Sequence, residues 1–221
     1  MLNLASYNTI ILDCDGIILD SNSIKTDAFY EVALVYGQEA ARSLAAYHKQ
    51  NGGISRYLKF QYFFREILGK DQADREIQAA IDHYGELVRA RLATCNLTEG
   101  LLAFLDSIPD HIPKYVVSGG NEAEVREALQ QQGLGRYFRD IWGSPATKDE
   151  IFGREIDTRT LVPPMLYIGD SIYDYECASR YGMGFIFVYQ YTEVQNWQDF
   201  FENKSVTVYQ NLAEAANNIV F

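Results

Sequence analysis

The apolar residues of this chain are arranged in two ways: a short continuous run comes first, and segments with helical spacing follow it. Residues 7–12 form the apolar run, which is rich in isoleucine and predicts a strand buried on both faces. Within residues 23–50, 55–68 and 73–93, apolar positions recur at helical spacing among charged ones. The pattern therefore predicts one strand followed by a segment made only of helices.

From Thr98 onward, predicted strands and helices alternate. Strands are predicted at residues 115–117, 165–168, 185–188 and 206–209, and helices at 100–107, 122–132, 171–181 and from 212, with an irregular stretch before residue 165. Such alternation is typical of a parallel sheet with helices on both faces. We predict an α/β fold whose core is formed by residues 1–20 and 98–221. An all-helical domain, residues 21–97, is inserted after the first core strand as a lid over the sheet's ligand-binding edge.

The composition limits the classes of function. Of 221 residues, 48% are hydrophobic, which is enough to bury a substantial core. The formal net charge of -11 argues against a nucleic-acid-binding surface, and an anionic substrate would need a local cluster of donors or a metal. The three cysteines are scattered without ligand spacing, so neither a disulfide framework nor a zinc site is expected. With no predicted membrane span or signal segment, we expect a cytoplasmic protein.

Polar residues follow the predicted strands at the points where those strands end. They are Asp13, Asp15 and Gly16 after the first strand, Ser118, Gly119 and Gly120 after the second, and Gly169, Asp170, Ser171 and Asp174 after the third, with Lys148 between the last two groups. In an open parallel sheet, ligands bind beyond the carboxyl ends of the strands. We therefore expect these side chains to meet in one site.

Carboxylates, a hydroxyl, glycine amides and a lysine together suit the transfer of a phosphoryl group. Crowded carboxylates repel one another unless a cation lies among them, and oxygen ligands favour Mg²⁺. A lysine, a serine and exposed backbone amides can bind the remaining phosphate oxygens. One carboxylate can then attack phosphorus to form an aspartyl-phosphate, while a second acts as acid and base.

These residues lie in stretches that resemble the four motifs of the haloacid dehalogenase superfamily. The stretches are DCDG at 13–16, VVSGG at 116–120, SPATK at 144–148 and IGDSIYD at 168–174, in the family's order. The helical insert, preceded by Asp20 and Ser21, is similar to the class-one cap of phosphoglycolate phosphatase and β-phosphoglucomutase relatives. The resemblance implies a Rossmann-like three-layer α/β/α core, a Mg²⁺ cofactor and a mobile helical cap.

The resemblance also implies roles for individual residues. The expected catalytic residues are Asp13 as nucleophile, Asp15 as acid and base, and Ser118 and Lys148, which with Gly119 bind the phosphoryl group. The expected metal ligands are Asp13, the backbone carbonyl of Asp15, and Asp170, with Asp174 supporting through water or a hydrogen bond. One departure is Ile17, which stands where the family usually has a threonine that orients the first motif.

The stretch GGISRYLKF at residues 52–60 resembles the substrate-specificity loop of such caps. Arg56 stands where relatives often have a substrate-contacting arginine, although an arginine at the start of an amphipathic helix is more often an ion-pair partner. Tyr57 and Lys59 suit many anionic or hydroxylated groups. The three histidines, His48, His83 and His111, have no metal-ligand spacing and lie outside every motif, so we expect no role for them.

We predict a Mg²⁺-dependent phosphatase of a small phosphomonoester, such as a sugar phosphate or a phosphoglycolate-like compound, with no nucleic-acid or membrane partner. A phosphomutase or a non-catalytic binding protein on the same fold stays an alternative, and a homodimer is left open. A dehalogenase is disfavoured because those enzymes lack the second aspartate, present here as Asp15. A phospho-acceptor receiver domain is disfavoured because Lys148 precedes Asp170 and because a helical insert is present.

Overall fold

A parallel sheet forms the centre of the computed structural model, which describes residues 2–220. In chain order the strands are β1 (Leu2–Asn3), β2 (Thr9–Leu12), β3 (Lys114–Asn121), β4 (Asp140–Ser144), β5 (Met165–Gly169), β6 (Gly184–Val188), β7 (Thr207–Tyr209) and β8 (Ile219–Val220). Strands β2 to β7 form the main sheet in the order β4-β3-β2-β5-β6-β7, and every neighbouring pair is parallel. The short strands β1 and β8 pair with each other.

Strand β2 lies in the middle of this sheet, and all four of its residues are buried. Successive side chains of a strand point to opposite faces. Accordingly, Ile10 and Leu12 join one apolar cluster and Ile11 joins another. The prediction of a strand buried on both faces is confirmed.

Helices cover both faces of the sheet and fill the segment after β2. They are α1 (Asn22–Ala33), α2 (Gln38–Gln50), α3 (Arg56–Tyr62), α4 (Asp74–Leu92), α5 (Leu101–Ser107), α6 (Glu122–Gln131), α7 (Lys148–Asp157), α8 (Ile172–Arg180), α9 (Trp197–Phe201) and α10 (Leu212–Asn217). Helices α5, α6 and α10 contribute to the cluster of Ile10, whereas α7 and α8 contribute to that of Ile11. The predicted α/β fold, with a three-layer core and a parallel sheet, is confirmed.

Helices α1 to α4 lie between β2 and β3, and we call them the helical insert. They pack around aromatic rings: the ring of Phe29 lies 4.2 Å from that of Tyr84 and 5.2 Å from that of Phe60, measured between centroids. Burial of such rings supplies much of the stability of a small helical unit. The domain boundaries at residues 20–21 and 97–98 stay predictions.

Residues 133–164 differ from the sequence prediction, which left them irregular. They contain β4 and α7, both of which have weak apolar patterns. Strand β4 is a short edge strand with a glycine, and α7 carries five charged residues in its sequence KDEIFGREID before its final aspartate. The start of α7 does have a sequence signal, because Thr147 and Glu150 form a capping box at its first turn.

The helices of residues 2–220 include none that is both long enough and apolar enough to cross a membrane.

Gly100 is required where the chain returns from the helical insert to the core. Its backbone is left-handed, with φ +82°, and a methyl group there would lie 2.1 Å from the backbone nitrogen of Ala213 at the start of α10. Gly100→Ala is expected to lower the free energy of unfolding by about 3 kcal/mol, through backbone strain and overpacking together. Urea unfolding of the two proteins measures the difference.

Gly133→Ala is the matched control. Gly133 is also left-handed, with φ +71°, but apart from its chain neighbours no atom of residues 2–220 lies within 4 Å of its added methyl group. This variant should lose only about 1 kcal/mol, the cost of the backbone conformation alone. Equal losses in the two variants would contradict the close packing of α5 against α10.

Candidate active site

The loop after β2 brings its two aspartates to the edge of the sheet. The amide of Asp13 donates a hydrogen bond to the carbonyl of Ile168 in β5, at 2.9 Å. At the other end of the loop, the amide of Leu19 donates to the carbonyl of Cys14, also at 2.9 Å. Between them, Gly16 has φ +76°, and a methyl group there would lie 2.2 Å from Oδ2 of Asp170. Glycine is therefore needed for the loop to reach the carboxylate of Asp170.

Lys148 lies at the centre of the site, with its side chain only 1% exposed. Its ammonium donates to Oδ1 of Asp13 at 2.9 Å, to Oδ1 of Asp174 at 2.5 Å and to the hydroxyl of Tyr167 at 2.9 Å. Burial opposes its charge, but the two carboxylates outweigh burial and raise the pKa of Lys148. Because Lys148 is the first residue of α7, the capping box there fixes its position.

Asp174 is held by its own helix. Ser171 caps α8, and its amide and hydroxyl donate to Oδ2 of Asp174 at 3.1 and 2.6 Å. The Tyr167 hydroxyl donates to Oδ1 at 2.7 Å, beside Lys148. Both oxygens of Asp174 therefore bind protein donors, an arrangement that positions the Lys148 ammonium. The metal-supporting role of Asp174 stays a prediction.

Three buried carboxylates, those of Asp13, Asp170 and Asp174, have oxygens within 4.8 Å of one another. Burial raises the pKa of Asp13 to about 7, with Lys148 opposing and the neighbouring aspartates adding to the rise. Burial and the charges of Asp13 and Asp174 raise the pKa of Asp170 well above its usual range. In residues 2–220, Asp170 has a hydrogen bond of 2.6 Å from Asn22 Nδ2 but no salt bridge. The cluster thus has more buried negative charge than its one ammonium balances, which suits a bound cation.

Asp15 is partly buried, with its side chain 14% exposed, and lies between donors from the chain that follows it. Ser21 Oγ donates to its Oδ1 at 2.6 Å, and the Lys25 ammonium donates to its Oδ2 at 2.5 Å. Although burial opposes ionisation, Lys25 and Ser21 lower the pKa of Asp15. The sequence prediction missed Lys25 and Asn22, which lie in the first turn of α1. Their closeness to the first motif, within ten residues of Asp15, was the available signal.

The second motif lies at the end of β3, under a loop of the helical insert. Ser118 is fully buried, and its Oγ accepts the amide of Gly120 at 2.9 Å. A methyl group on Gly119 would lie 2.2 Å from the carbonyl oxygen of Gly53, and one on Gly53 would lie 3.5 Å from the Lys148 ammonium. The loop between α2 and α3 therefore covers the site directly.

Arg56 joins the helical insert to the core. Its guanidinium makes a bidentate, buried salt bridge to Glu124 of α6. Nη1 donates to Oε1 at 2.9 Å, and Nη2 donates to Oε2. The guanidinium also lies 4.6 Å from the centroid of the Tyr84 ring. Because its guanidinium is bound to Glu124, Arg56 is an ion-pair partner in this structure. A contact between Arg56 and the substrate stays a prediction.

The cavity between the insert and the sheet edge contains the predicted loops and several unpredicted groups. Asp13, Asp15, Asp170, Gly119 and Arg56 line it, as expected. His48 and Lys59 line it as well, and their side chains touch, with Lys59 Nζ 2.7 Å from His48 Nδ1. No role was expected for His48, because a lone histidine on an amphipathic helix carries no pattern. The segment 192–194 forms another wall of the cavity. It is held there because the Thr192 hydroxyl donates a hydrogen bond to the carbonyl of Asp170 at 2.6 Å.

Solved structures with this fold cover nearly the whole chain. A putative haloacid dehalogenase-like hydrolase from Bacteroides fragilis has 19% identity and a TM-score of 0.76, covering 95% of this chain and 99% of its own. A predicted phosphoglycolate phosphatase from Haemophilus somnus has 16% identity and a TM-score of 0.77, with 97% and 98% covered. A β-phosphoglucomutase from Clostridium difficile has 17% identity and a TM-score of 0.72, with 96% and 92% covered. At such identities the likeness establishes the fold alone.

No curated protein matches the chain by sequence. A family model does match: the model described as haloacid dehalogenase-like hydrolase fits residues 10–188. That match includes all four motif stretches and the helical insert between the first two. The chain therefore belongs to the haloacid dehalogenase-like hydrolase family.

Proposed function

We propose that this hydrolase is a Mg²⁺-dependent phosphatase that cleaves a small phosphomonoester through an aspartyl-phosphate on Asp13. The observation that carries the proposal is the charge arrangement of the buried cluster. Asp13 is bound to Lys148 through one oxygen and lies beside Asp170, which forms no salt bridge with any residue from 2 to 220. A nucleophilic carboxylate beside a lysine and a cation site suits attack on a phosphorus that carries negative charge.

The donor set fits magnesium. The carboxylate oxygens of Asp13 and Asp170 and the backbone carbonyl of Asp15 are hard oxygen donors, and burial with mutual repulsion raises the pKa of both carboxyl groups. A cation beside them would hold both ionised. When bound, the metal would neutralise part of the substrate's charge and polarise its phosphate.

The first step makes one bond and breaks another. The Asp13 oxygen that does not contact Lys148 attacks phosphorus, and the bond between phosphorus and the leaving oxygen breaks. The Lys148 ammonium and the amides around Gly119 bind the phosphoryl oxygens. Asp15 gives a proton to the leaving oxygen and is left ionised, a form that the Lys25 ammonium, which donates to Asp15 Oδ2 at 2.5 Å, stabilises.

The second step reverses the role of Asp15. Ionised Asp15 takes a proton from water, the water oxygen attacks phosphorus, and the bond to Asp13 breaks to release phosphate. The Lys25 ammonium favours the ionised carboxylate that this step needs. During the first step the loop of Gly52 and Gly53 limits water, because it lies against Gly119 and Lys148.

Phosphate release from a panel of small phosphomonoesters, with Mg²⁺ and with a chelator, tests the reaction class. We expect release from one or a few compounds with Mg²⁺, loss of release with the chelator, and recovery when Mg²⁺ is restored. Conversion of a sugar phosphate into its isomer without free phosphate would favour a phosphomutase instead. No reaction with any compound would favour a binding protein on this fold.

Asp13→Asn tests the nucleophile. The amide cannot form the aspartyl-phosphate, so we expect kcat to fall by at least about 10⁴-fold, while far-UV circular dichroism and the melting temperature stay near those of the unchanged protein. Asp110→Asn is the matched control, because Asp110 is exposed and lies outside the cavity. Retained turnover in the Asp13 variant would exclude Asp13 as nucleophile.

Gly119→Ala tests the contact between the insert and the second motif. The added methyl group would displace the Gly53 carbonyl, so the loop cannot lie over Lys148 as it does here. We expect kcat/KM to fall about 100-fold with little change in stability. Gly153→Ala on α7 is the control, because its methyl group meets only the Tyr181 hydroxyl at 3.4 Å, and it should keep full activity. Equal activity of both variants would show that closure of this loop is not needed.

A further inference from the structure

The cationic side chains that line the cavity are almost all paired with carboxylates. Lys25 lies 2.5 Å from Asp15, Lys49 lies 3.2 Å from Glu193, and Arg56 forms its buried bridge with Glu124. An opposite charge so close offsets part of the free-energy cost of taking a cation out of water. These three side chains are therefore explained by their protein partners.

Lys59 is the exception among the cavity cations of residues 2–220. It is 1% exposed and makes no salt bridge, and its ammonium touches His48 Nδ1 at 2.7 Å and lies 5.6 Å from the centroid of the Phe29 ring. Burial and the nearby ammonium of Lys25 lower the pKa of Lys59 to about 7, and burial and Lys59 lower that of His48 well below its usual range. Since burying an uncompensated ammonium destabilises a protein, packing gives no reason for a lysine here.

The position of Lys59 assigns it to one part of the substrate. The groups proposed to hold the phosphoryl group, Asp13, Lys148 and Gly119, all come from the core. Lys59 lies on α3 of the helical insert and lines the cavity between the insert and the sheet edge. A substrate whose phosphoryl group is held by the core extends its leaving part toward the insert, so Lys59 faces the leaving part.

We propose that Lys59, with His48 against it, binds a second anionic group of the substrate, a carboxylate or a second phosphate on the leaving part of the molecule. The inference rests on the proposed function and narrows it to phosphomonoesters that carry two anionic groups. Lys59 donates one hydrogen bond to His48 Nδ1, which places the ring proton on Nε2, and its remaining N–H groups are free for the anion. A bound anion would also hold Lys59 charged.

Two pairs of esters that differ by one anionic group test the proposal. The first pair is 3-phosphoglycerate and glycerol 3-phosphate, which differ by a carboxylate. The second is fructose 1,6-bisphosphate and fructose 6-phosphate, which differ by a phosphate. Calorimetric affinities are measured in the Asp13→Asn background, where turnover is blocked, with Lys59 intact and as Lys59→Met. Failure of the phosphatase proposal itself appears separately, as absence of phosphate release by the unchanged protein.

In at least one pair, we expect the ester with the second anionic group to bind about 30-fold more tightly than the ester that lacks it, and Lys59→Met to remove that preference. The pair that shows the preference identifies the anion as carboxylate or phosphate. Lys59→Arg should restore part of it. Because removal of an unpaired buried charge does not weaken the fold, Lys59→Met should melt at the same or a higher temperature, so misfolding cannot explain its loss.

Lys70→Met is the control for charge, because Lys70 is an exposed lysine of the helical insert paired with Glu76. It should leave both affinities unchanged. The proposal is overturned if neither pair shows a preference, or if Lys59→Met weakens both members of a pair equally. The second outcome would assign Lys59 to the transferring phosphoryl group instead.

Discussion

The buried ammonium of Lys148 is the charge on which the arrangement of the site depends. Asp13 comes from the loop after β2 and Asp174 from α8, and carboxylates so close together and out of water would repel each other strongly. Lys148 binds both, and the Tyr167 hydroxyl completes its shell. One side chain thereby fixes three separate parts of the chain at the edge of the sheet. Asp13 is held through Oδ1, and its other carboxylate oxygen does not contact Lys148.

The charges left over by this arrangement indicate what the cavity is built to hold. Most carboxylates and ammonium groups in it are matched one to one, although the chain as a whole is acidic. Within residues 2–220, Asp170 and Lys59 form no salt bridge, and both are buried. Since each such group costs free energy, a metal ion and an anionic ligand are the simplest counter-charges. The same reasoning from unbalanced charge thus supports both the cofactor and the substrate class.

The sequence was most informative where residue spacing and element order act together. The buried strand, the helical insert and the strand-end residues Asp13 and Asp170 follow from periodicity and from the shared edge of a parallel sheet, whereas Lys148 was identified by its motif. The groups that the sequence did not reveal, such as Lys25 and His48, belong to helices of the insert. Their helical spacing shows which face is polar but not what that face meets, because the tertiary position of the insert decides it. Strand β4 was missed because its sequence DIWGS has only two large apolar residues, Ile141 and Trp142, which is too short a run to predict a strand.

The connections of the helical insert explain how the first motif is oriented without the usual threonine. Ile17 stands in its place, fully buried, and a hydroxyl from elsewhere serves the loop: Thr98 Oγ1 donates to the carbonyl of Ile17, and the Thr98 amide donates to Ile18 at 3.0 Å. The chain thus leaves for the insert and returns from it side by side, with the Asp20 amide 2.9 Å from the carbonyl of Asn96.

That shared connection lies only a few residues from Asp15. The charge of Asp15 is set by Ser21 and Lys25, which lie where the insert begins. Any rotation of the insert about this connection would therefore move Lys25 relative to Asp15 as well as move the Gly53 loop relative to Lys148. Closure of the insert over the site and a change in the surroundings of Asp15 would then be a single motion. The insertion point directly after β2 provides that coupling, since an insert attached elsewhere in the core would cover the site without touching Asp15.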